Sequence, residues 1–414
     1  MSISDNGVSP VSAPSPARAK AAIVGVSDAV SPTGELEGTV RSIQADVVAE
    51  ALDDAGLKAS DVDAVATCTG GAIMFPSMEL ADYLGIRPRW TDSTNIGGSS
   101  LETYVEHVSH AIALGVCETA LIVYAETPRS NIKRAAGQRV TGAASQAAMA
   151  QSGTVAPRLE WESSFGMLSP IGGYALAASR HMAMYGTTSE QLAQIAVSTR
   201  EWAALNPKAR YRDPLTIDDV VNSPMQASPL HKLDCCLVTD GAGAVVVTSA
   251  ERARDLRKPP AYVLGAASGH THSMISQMPD LTVTAGADTG KRAFALAGIS
   301  PSDVDVLQTY DSFTITVLLA LEDLGFCAKG EGGPFVADGK LGPGGAFPAQ
   351  TSGGGLSYTH PGMFGMFLLV EAVRQLRGEG EARQVPDVNV AVAHGVGGVL
   401  SSASTIVLGS EATL

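Results

Sequence analysis

Residues 55–68 read AGLKASDVDAVATC and residues 297–310 read AGISPSDVDVLQTY. Each copy has a glycine where a helix would end, a turn carrying Ser-Asp-Val-Asp, and an apolar run short enough for a strand. Each is preceded by a segment with helical periodicity, SIQADVVAEALDDA at 42–55 and DTGKRAFALA at 288–297. The two copies lie 242 residues apart. Solenoid repeats recur every 20–50 residues or so, which this spacing far exceeds, so the pattern implies a duplicated α/β half.

The rest of the chain fits two such halves. Strands are expected at 21–28, 62–68 and 119–126, and as two short strands around a glycine turn within 235–249. They recur at 261–269, 304–310, 388–395 and 404–409, with helices over 42–55, 100–115, 285–297, 312–325 and 362–377. Alternation of this kind predicts sheets covered by helices. The expected organisation is a flexible Ser/Pro/Ala-rich tail at 1–19, an N-terminal half at 20–250 and a C-terminal half at 251–414. The N-terminal half carries a cap insertion at about 127–232, with helices expected in 163–186 and 188–207. Lys208, Arg210 and Arg212 in the cap either face an anionic ligand or form a solvated basic loop.

Composition excludes several classes. The 414 residues carry a formal charge of −14 without long basic runs, which gives a nucleic-acid surface little support. No apolar run reaches the ~18 residues of a membrane helix, and the N-terminus lacks a signal-peptide pattern, so a cytoplasmic protein is expected. The five cysteines have no zinc spacing and read as reduced thiols. His270 and His272 form too weak a pair for a metal site, so none is expected.

Residues 353–365, GGGLSYTHPGMFG, place Tyr358 and His360 two apart at a strand-to-helix corner, with Pro361 suited to the first helical turn. Together with LDCCLVTDGAGAVVV (233–247), YDSF (310–313) and HGVGG (394–398), this corner resembles the thiolase superfamily, and most closely its sterol-carrier-protein, lipid-transfer-like branch. The resemblance covers nearly the whole chain from about residue 20. It implies a five-layer αβαβα thiolase fold, a dimer and acyl-CoA chemistry.

Departures from the family pattern carry the functional argument. No cysteine lies between Cys68 and Cys117, and aligning the helix that begins in STNIGGSSLETY puts Gly97 or a neighbour at the nucleophile position. The second family cysteine is replaced by HGVGG, led by His394 and including Gly397. Without a thiolate, thiolase chemistry has no nucleophile. Ser99 and Ser100 read as helix N-cap residues before they read as substitutes. The retained histidine matches His360, and Tyr310 takes the place of the family's asparagine or histidine. A two-tyrosine pattern of this kind is similar to that of thiolase-fold aldolases of bacterial steroid side-chain degradation.

The resemblance therefore implies a retro-aldolase that cleaves a β-hydroxyacyl-CoA to a ketone or aldehyde plus a short acyl-CoA. Expected catalytic residues are Tyr310, Tyr358, His360 and His394, with Tyr358 on the hydroxyl proton, Tyr310 on the enolate carbon and His360 on the thioester oxygen. Gly97, Ser99, Asp311 and Gly397 are expected at the substrate. Plainer readings stand beside these: a structural phenol at Tyr310, a backbone-bonded His394, Asp240 as a turn residue, and Cys235, Cys236 and Cys68 as packing. The resemblance also implies a small OB-fold partner with a zinc ribbon in an α2β2 assembly, coenzyme A as part of the substrate, and no cofactor bound by this chain. A degenerate thiolase and a non-catalytic lipid or acyl-CoA carrier are the alternatives.

Overall fold

In both copies of the repeat the first aspartate closes a helical turn and the second ties down a neighbouring strand. Asp61 and Asp303 accept the amides of Lys58 and Ser300, each at 2.8 Å. Asp63 accepts from Thr119 at 2.9 Å, and Asp305 accepts from Asn389 and Val390 at 2.8 Å. The shared Ser-Asp-Val-Asp is thus a strand-alignment device used once in each half.

The computed structural model describes residues 15–69, 74–137, 161–167 and 169–414. Its strands are β1 (Ala21–Ala29), β2 (Ala64–Thr67), β3 (Trp90–Asp92), β4 (Thr119–Glu126), β5 (Met225–Ala227), β6 (Leu230–His231), β7 (Gly241–Ser249), β8 (Ala261–His270), β9 (Val306–Thr309), β10 (Val390–Gly397) and β11 (Ser402–Gly409). Helices of nine residues or more are α1 (Val40–Ala55), α2 (Pro76–Leu84), α3 (Ser100–Ala113), α4 (Pro128–Gly137), α5 (Pro170–Tyr185), α6 (Ser189–Ala204), α7 (Gly286–Ala297), α8 (Thr314–Asp323) and α9 (Gly365–Leu376).

Strand order is β3-β2-β4-β7-β1-β8-β11-β10-β9. The two half-sheets meet where β1 pairs with β8 through Ala22–Tyr262 and Ile23–Ala261. Helices α3 and α9 pack on each other and touch strands of both halves, while α1 lies on β1 and β7 and α7 on β8 and β11. This gives five layers, α-β-α-β-α, with α3 and α9 as the central one. A helix between two sheets must be apolar nearly all round. Accordingly every residue of α9 from Gly365 to Val373 is buried.

The duplication extends to backbone detail. Pairing skips Val24 where β1 meets β7 and Leu264 where β8 meets β11, a bulge at the same place in each half. The next residue is glycine in both. A Cβ on Gly25 would lie 2.1 Å from the Ala51 carbonyl of α1, and one on Gly265 would lie 2.2 Å from the Ala293 carbonyl of α7.

Local expectations fail at two places, 235–240 and the corner at 353–365, where a helical turn over Gly354–Tyr358 stands in place of a strand before His360. Residues 235–240 form no strand and contribute only an isolated bridge, Cys235 to Phe313, so one strand rather than two occupies 235–249. Helix α9 begins at Gly365, four residues after Pro361. Residues 361–364 cannot coil because phenols hold their backbone: Tyr124 donates to the Pro361 carbonyl and accepts from the Met363 amide, and Tyr310 accepts from the Phe364 amide at 3.1 Å.

The cap is anchored by α5 and α6. His181 on α5 is fully buried, with Nε2 3.0 Å from the Glu322 carboxylate and Nδ1 2.7 Å from the Thr187 hydroxyl. Among the described residues, no helix is long and apolar enough to cross a membrane. Because the atom met at each strand glycine is backbone, Gly25→Ala and Gly265→Ala each should cost about 1–3 kcal/mol of stability, read by urea denaturation; a loss at only one of the two would contradict their equivalence.

Candidate active site

A cavity of about 510 Å³ opens where the two halves and the cap meet. The amino end of α3 supplies Gly97 and Gly98, the loop after β9 supplies Tyr310 and Phe313, and the turn before α9 supplies His360 and Met363. The cap closes it with Ile171 and Tyr174 of α5, and the extended segment before β7 adds Cys236 and Val238.

The chemistry centres on Tyr310 and His360. The Tyr310 hydroxyl lies 3.0 Å from His360 Nε2 and 3.3 Å from the Gly362 carbonyl, and it accepts the Phe364 amide. The rings of Tyr310 and His360 meet edge to face, while His360 stacks on Phe364. Burial pushes the Tyr310 phenol well above its usual value and His360 down to about 4. At neutral pH the pair is therefore a protonated phenol beside an uncharged imidazole, an acid next to a base.

Tyr310 also explains the absent nucleophile. A Cβ on Gly98 would come within 2.4 Å of Tyr310 Cε2 and of the Val396 carbonyl, so the phenol ring fills the space a side chain there would use. Gly97 has φ +83°, and its Cβ would meet the Gly398 amide nitrogen at 2.5 Å. Neither serine takes over. Ser99 is buried and shares a hydrogen bond with Ser402, and the Ser100 hydroxyl donates to the Gly97 carbonyl at 2.7 Å. Ser99 occupies the N-cap position but makes no capping bond, unlike the expectation for it. Cys236, the cysteine lining the cavity, has its thiol pushed well up by burial.

The structure sets the other expected residues apart from this cavity. Tyr358 is buried, and its hydroxyl donates to Asp28. Burial opposes charge on Asp28, but Arg374 at 2.6 Å and Lys208 at 2.9 Å hold its carboxyl well below the usual range. This cluster also takes up Lys208, while Arg210 and Arg212 donate to the Pro32 and Ala204 carbonyls. His394 points to the outer face of β10: its Nδ1 lies 2.9 Å from the Thr405 hydroxyl, and its ring faces Gly286 of α7. Its neighbour Gly395 faces the central layer, as alternation requires.

Asp311 accepts the amides of Gly355 at 2.6 Å and Leu356 at 3.0 Å, which orients the turn leading to His360; burial pushes its carboxyl up to about 7. Gly397 packs against the Ile96 carbonyl, with Val396 and Gly398 lining the cavity on either side. Asp240 accepts from Leu36 and Ser130, joining the loop after β1 to the first turn of α4. His272 Nε2 lies 3.0 Å from the Val399 carbonyl, and no cluster of three metal-ligating side chains occurs among the described residues.

Tyr174 is a cavity residue that sequence reasoning missed. Its hydroxyl donates to the Gly398 carbonyl at 3.2 Å, and its ring lies 4.4 Å from that of Phe313. The available signal was positional, because Pro170, Ile171 and Tyr174 share one face of α5. A second apolar cavity, about 470 Å³, lies beyond α5 between Trp161, Phe165 and Ile275; among the described residues its one acid, Glu162, accepts the Ser276 amide, and no base lines it.

Comparison with known proteins bears on the family and the fold. Residues 267–410 match the family model described as thiolase C-terminal domain-like. A protein of Thermomonospora curvata named steroid side-chain-cleaving aldolase is 37% identical over 88% of this chain and 92% of its own. A Mycobacterium tuberculosis protein named 17-hydroxy-3-oxo-4-pregnene-20-carboxyl-CoA lyase is 36% identical over 87% of this chain and 92% of its own. The solved structure titled Ltp2-ChsH2(DUF35) aldolase superposes with a TM-score of 0.83 at 35% identity, covering 97% of this chain and 100% of that one. The chain belongs to the thiolase superfamily. Within it, the protein is an aldolase-type carbon–carbon lyase.

Two outcomes follow from this geometry. Gly97→Cys should give no acyl-enzyme by intact mass after incubation with acetyl-CoA, since the backbone there excludes a side chain; a stable acyl adduct would contradict the closed position. Tyr358→Phe should lower stability by about 1–3 kcal/mol in urea denaturation, the cost of removing a partner from a buried charged group; unchanged stability would contradict its tie to Asp28.

Proposed function

We propose that this lyase is a CoA-dependent retro-aldolase that cleaves a β-hydroxyacyl-CoA with a bulky alicyclic, steroid-like group, releasing a ketone or aldehyde and a short acyl-CoA such as propionyl-CoA or acetyl-CoA. The observation that carries the reading is the hydrogen-bonded Tyr310–His360 pair in a cavity whose nucleophile position is closed by glycine. Cleavage without a covalent intermediate needs a base for the hydroxyl proton and an acid for the enolate carbon, and nothing more from a side-chain nucleophile.

His360, uncharged at neutral pH, takes the β-hydroxyl proton as the Cα–Cβ bond breaks. The electron pair of that bond passes to the thioester as an enolate, and the carbonyl product forms at Cβ. Tyr310 then gives its proton to Cα. The resulting phenolate and imidazolium share a hydrogen bond, so the proton returns from His360 to Tyr310 and the resting pair is restored with no net proton consumed. The amino end of α3 at Gly97 and Gly98 favours negative charge in the cavity while the enolate exists. This assigns His360 to the base role expected of Tyr358, which the Asp28 contact keeps occupied. Apolar walls at Ile171, Val238, Phe313 and Met363 suit an alicyclic group.

The active assembly is proposed to be a homodimer with a partner of the OB-fold, zinc-ribbon type, zinc belonging to that partner. Support for a partner comes from the related solved aldolase, whose title names two proteins. Support for the dimer is the outer edge of β3, unpaired among the described residues, with Phe75, Met78 and Tyr83 exposed on and beside α2 nearby.

The test is cleavage of 17-hydroxy-3-oxo-4-pregnene-20-carboxyl-CoA and smaller β-hydroxyacyl-CoAs by the chain co-purified with its partner. Tyr310→Phe and His360→Ala should each cut kcat by about 10²–10⁴-fold, the usual worth of a general acid or base. The wild-type rate should fall below pH of about 4, as His360 takes up a proton. Binding without cleavage of any of these thioesters would favour an acyl-CoA carrier instead.

A further inference from the structure

Glu102, in the first turn of α3, is fully buried, and neither carboxyl oxygen has a hydrogen-bond partner among the described residues. Its carboxyl sits in a hollow that side chains have vacated. A Cβ on Gly365, the first residue of α9, would lie 2.3 Å from Oε2, and one on Gly395 of β10 would lie 2.4 Å from it. The same point beside Gly365 is 2.6 Å from the Gly98 carbonyl oxygen, and Gly98 is the residue against which the Tyr310 ring packs. Phe364, whose amide holds the Tyr310 hydroxyl, immediately precedes Gly365. Three glycines from three elements therefore make one space, with the phenol on one side and the orphan acid on the other.

A buried polar group without a partner is costly to keep, more so if charged. An apolar side chain of similar size would fill this hollow more cheaply. We propose that Glu102 is held as the neutral acid and acts as a positioning residue for Tyr310, leaving the wall behind the phenol uncharged so that it can carry the negative charge left after its proton goes to the enolate. Ionised, the same carboxylate opposes that charge and the enolate together.

Burial pushes the Glu102 carboxyl up to about 8, so ionisation falls just above neutrality. Of the titratable groups with a shifted value on the elements packed around it, Asp311 alone shares that range, and it is the same in wild type and variants, while His394 beside Gly395 is lowered to about 4. Tyr310 and Tyr124 lie well above that range, Cys68 is raised to about 11, and His360 is lowered to about 4. Asp311, raised to about 7, is bonded to the Gly355 and Leu356 amides. Gly365 and Gly395 bring no ionisable group.

This inference rests on the acid role of Tyr310 proposed above, so its test uses two readouts. In the first, melting temperature is followed from pH 5 to 9 for the wild type, Glu102→Gln and the apolar Glu102→Met. A carboxyl whose folded value is raised from 4.5 to about 8 contributes stability that is full below 4.5 and lost as pH rises through 8. Wild type should lose stability relative to both variants across that window. In the second, kcat is measured at pH 7 and pH 9 with the partner present. A group titrating at about 8 lowers the wild-type rate about tenfold between these values, and in whichever variant folds the ratio should stay near one. Cleavage with the same alkaline fall in the variants overturns the positioning role while leaving the lyase reading intact. Absence of cleavage in every protein, with the melting difference retained, overturns the lyase reading and this inference with it. Identical melting profiles overturn the buried neutral acid itself.

Discussion

The packing of the Tyr310 ring against Gly98 is the contact on which the site depends. It closes the place where a nucleophile would project from α3, and it brings the phenol hydroxyl to His360, the Gly362 carbonyl and the Phe364 amide at once. One side chain therefore fills the place of a covalent nucleophile and, in the proposed mechanism, supplies the acid of an acid–base pair. The delayed start of α9 follows from the same contact, because a phenol-bound Phe364 amide fixes the approach to the helix. Any larger residue at position 98 would displace the ring and with it the geometry of His360.

That contact is available only because the scaffold is doubled. α3 and α9 occupy corresponding central positions in the two halves, and each begins beside the cavity, so the loop after β9 meets the amino ends of both. The halves are held to a common geometry by small shared features: the Asp63 and Asp305 strand ties, the bulges at Val24 and Leu264, and the bare glycines that let α1 and α7 sit close. Rigid elements on three sides leave the cap helix α5 to complete the pocket with Tyr174, the place where substrate preference can vary without disturbing the acid–base pair.

Much of this was legible in the sequence. The Ser-Asp-Val-Asp repeat gave the duplication, and the glycines at 97 and 98 with no nearby cysteine pointed away from thiolase chemistry. Tyr310 and His360 stood out because each ends or follows a strand at a motif. Direction was harder to read. β10 is apolar on both faces, so its residues do not say which side His394 takes, and its ring proved to face α7. Tyr358 and His360 are two apart, which in a strand would put them on one face, but Gly354–Tyr358 is a helical turn followed by extended Thr359, and the two side chains diverge. Tyr174 lies more than 130 residues before Tyr310 in sequence, beyond any local signal. Nothing in the sequence marks Glu102 as buried, because an acidic residue in the first turn of a helix is ordinarily solvated and favourable.

The central claim is that carbon–carbon cleavage proceeds through an enolate protonated within the site, with no covalent acyl-enzyme. The most direct measurement is a single turnover in D₂O with the proposed partner present, followed by mass analysis of the short acyl-CoA and of the intact protein. The account predicts one deuterium on the α-carbon of each released acyl-CoA and an unmodified protein mass. An unlabelled product, or a protein heavier by an acyl group, would contradict it.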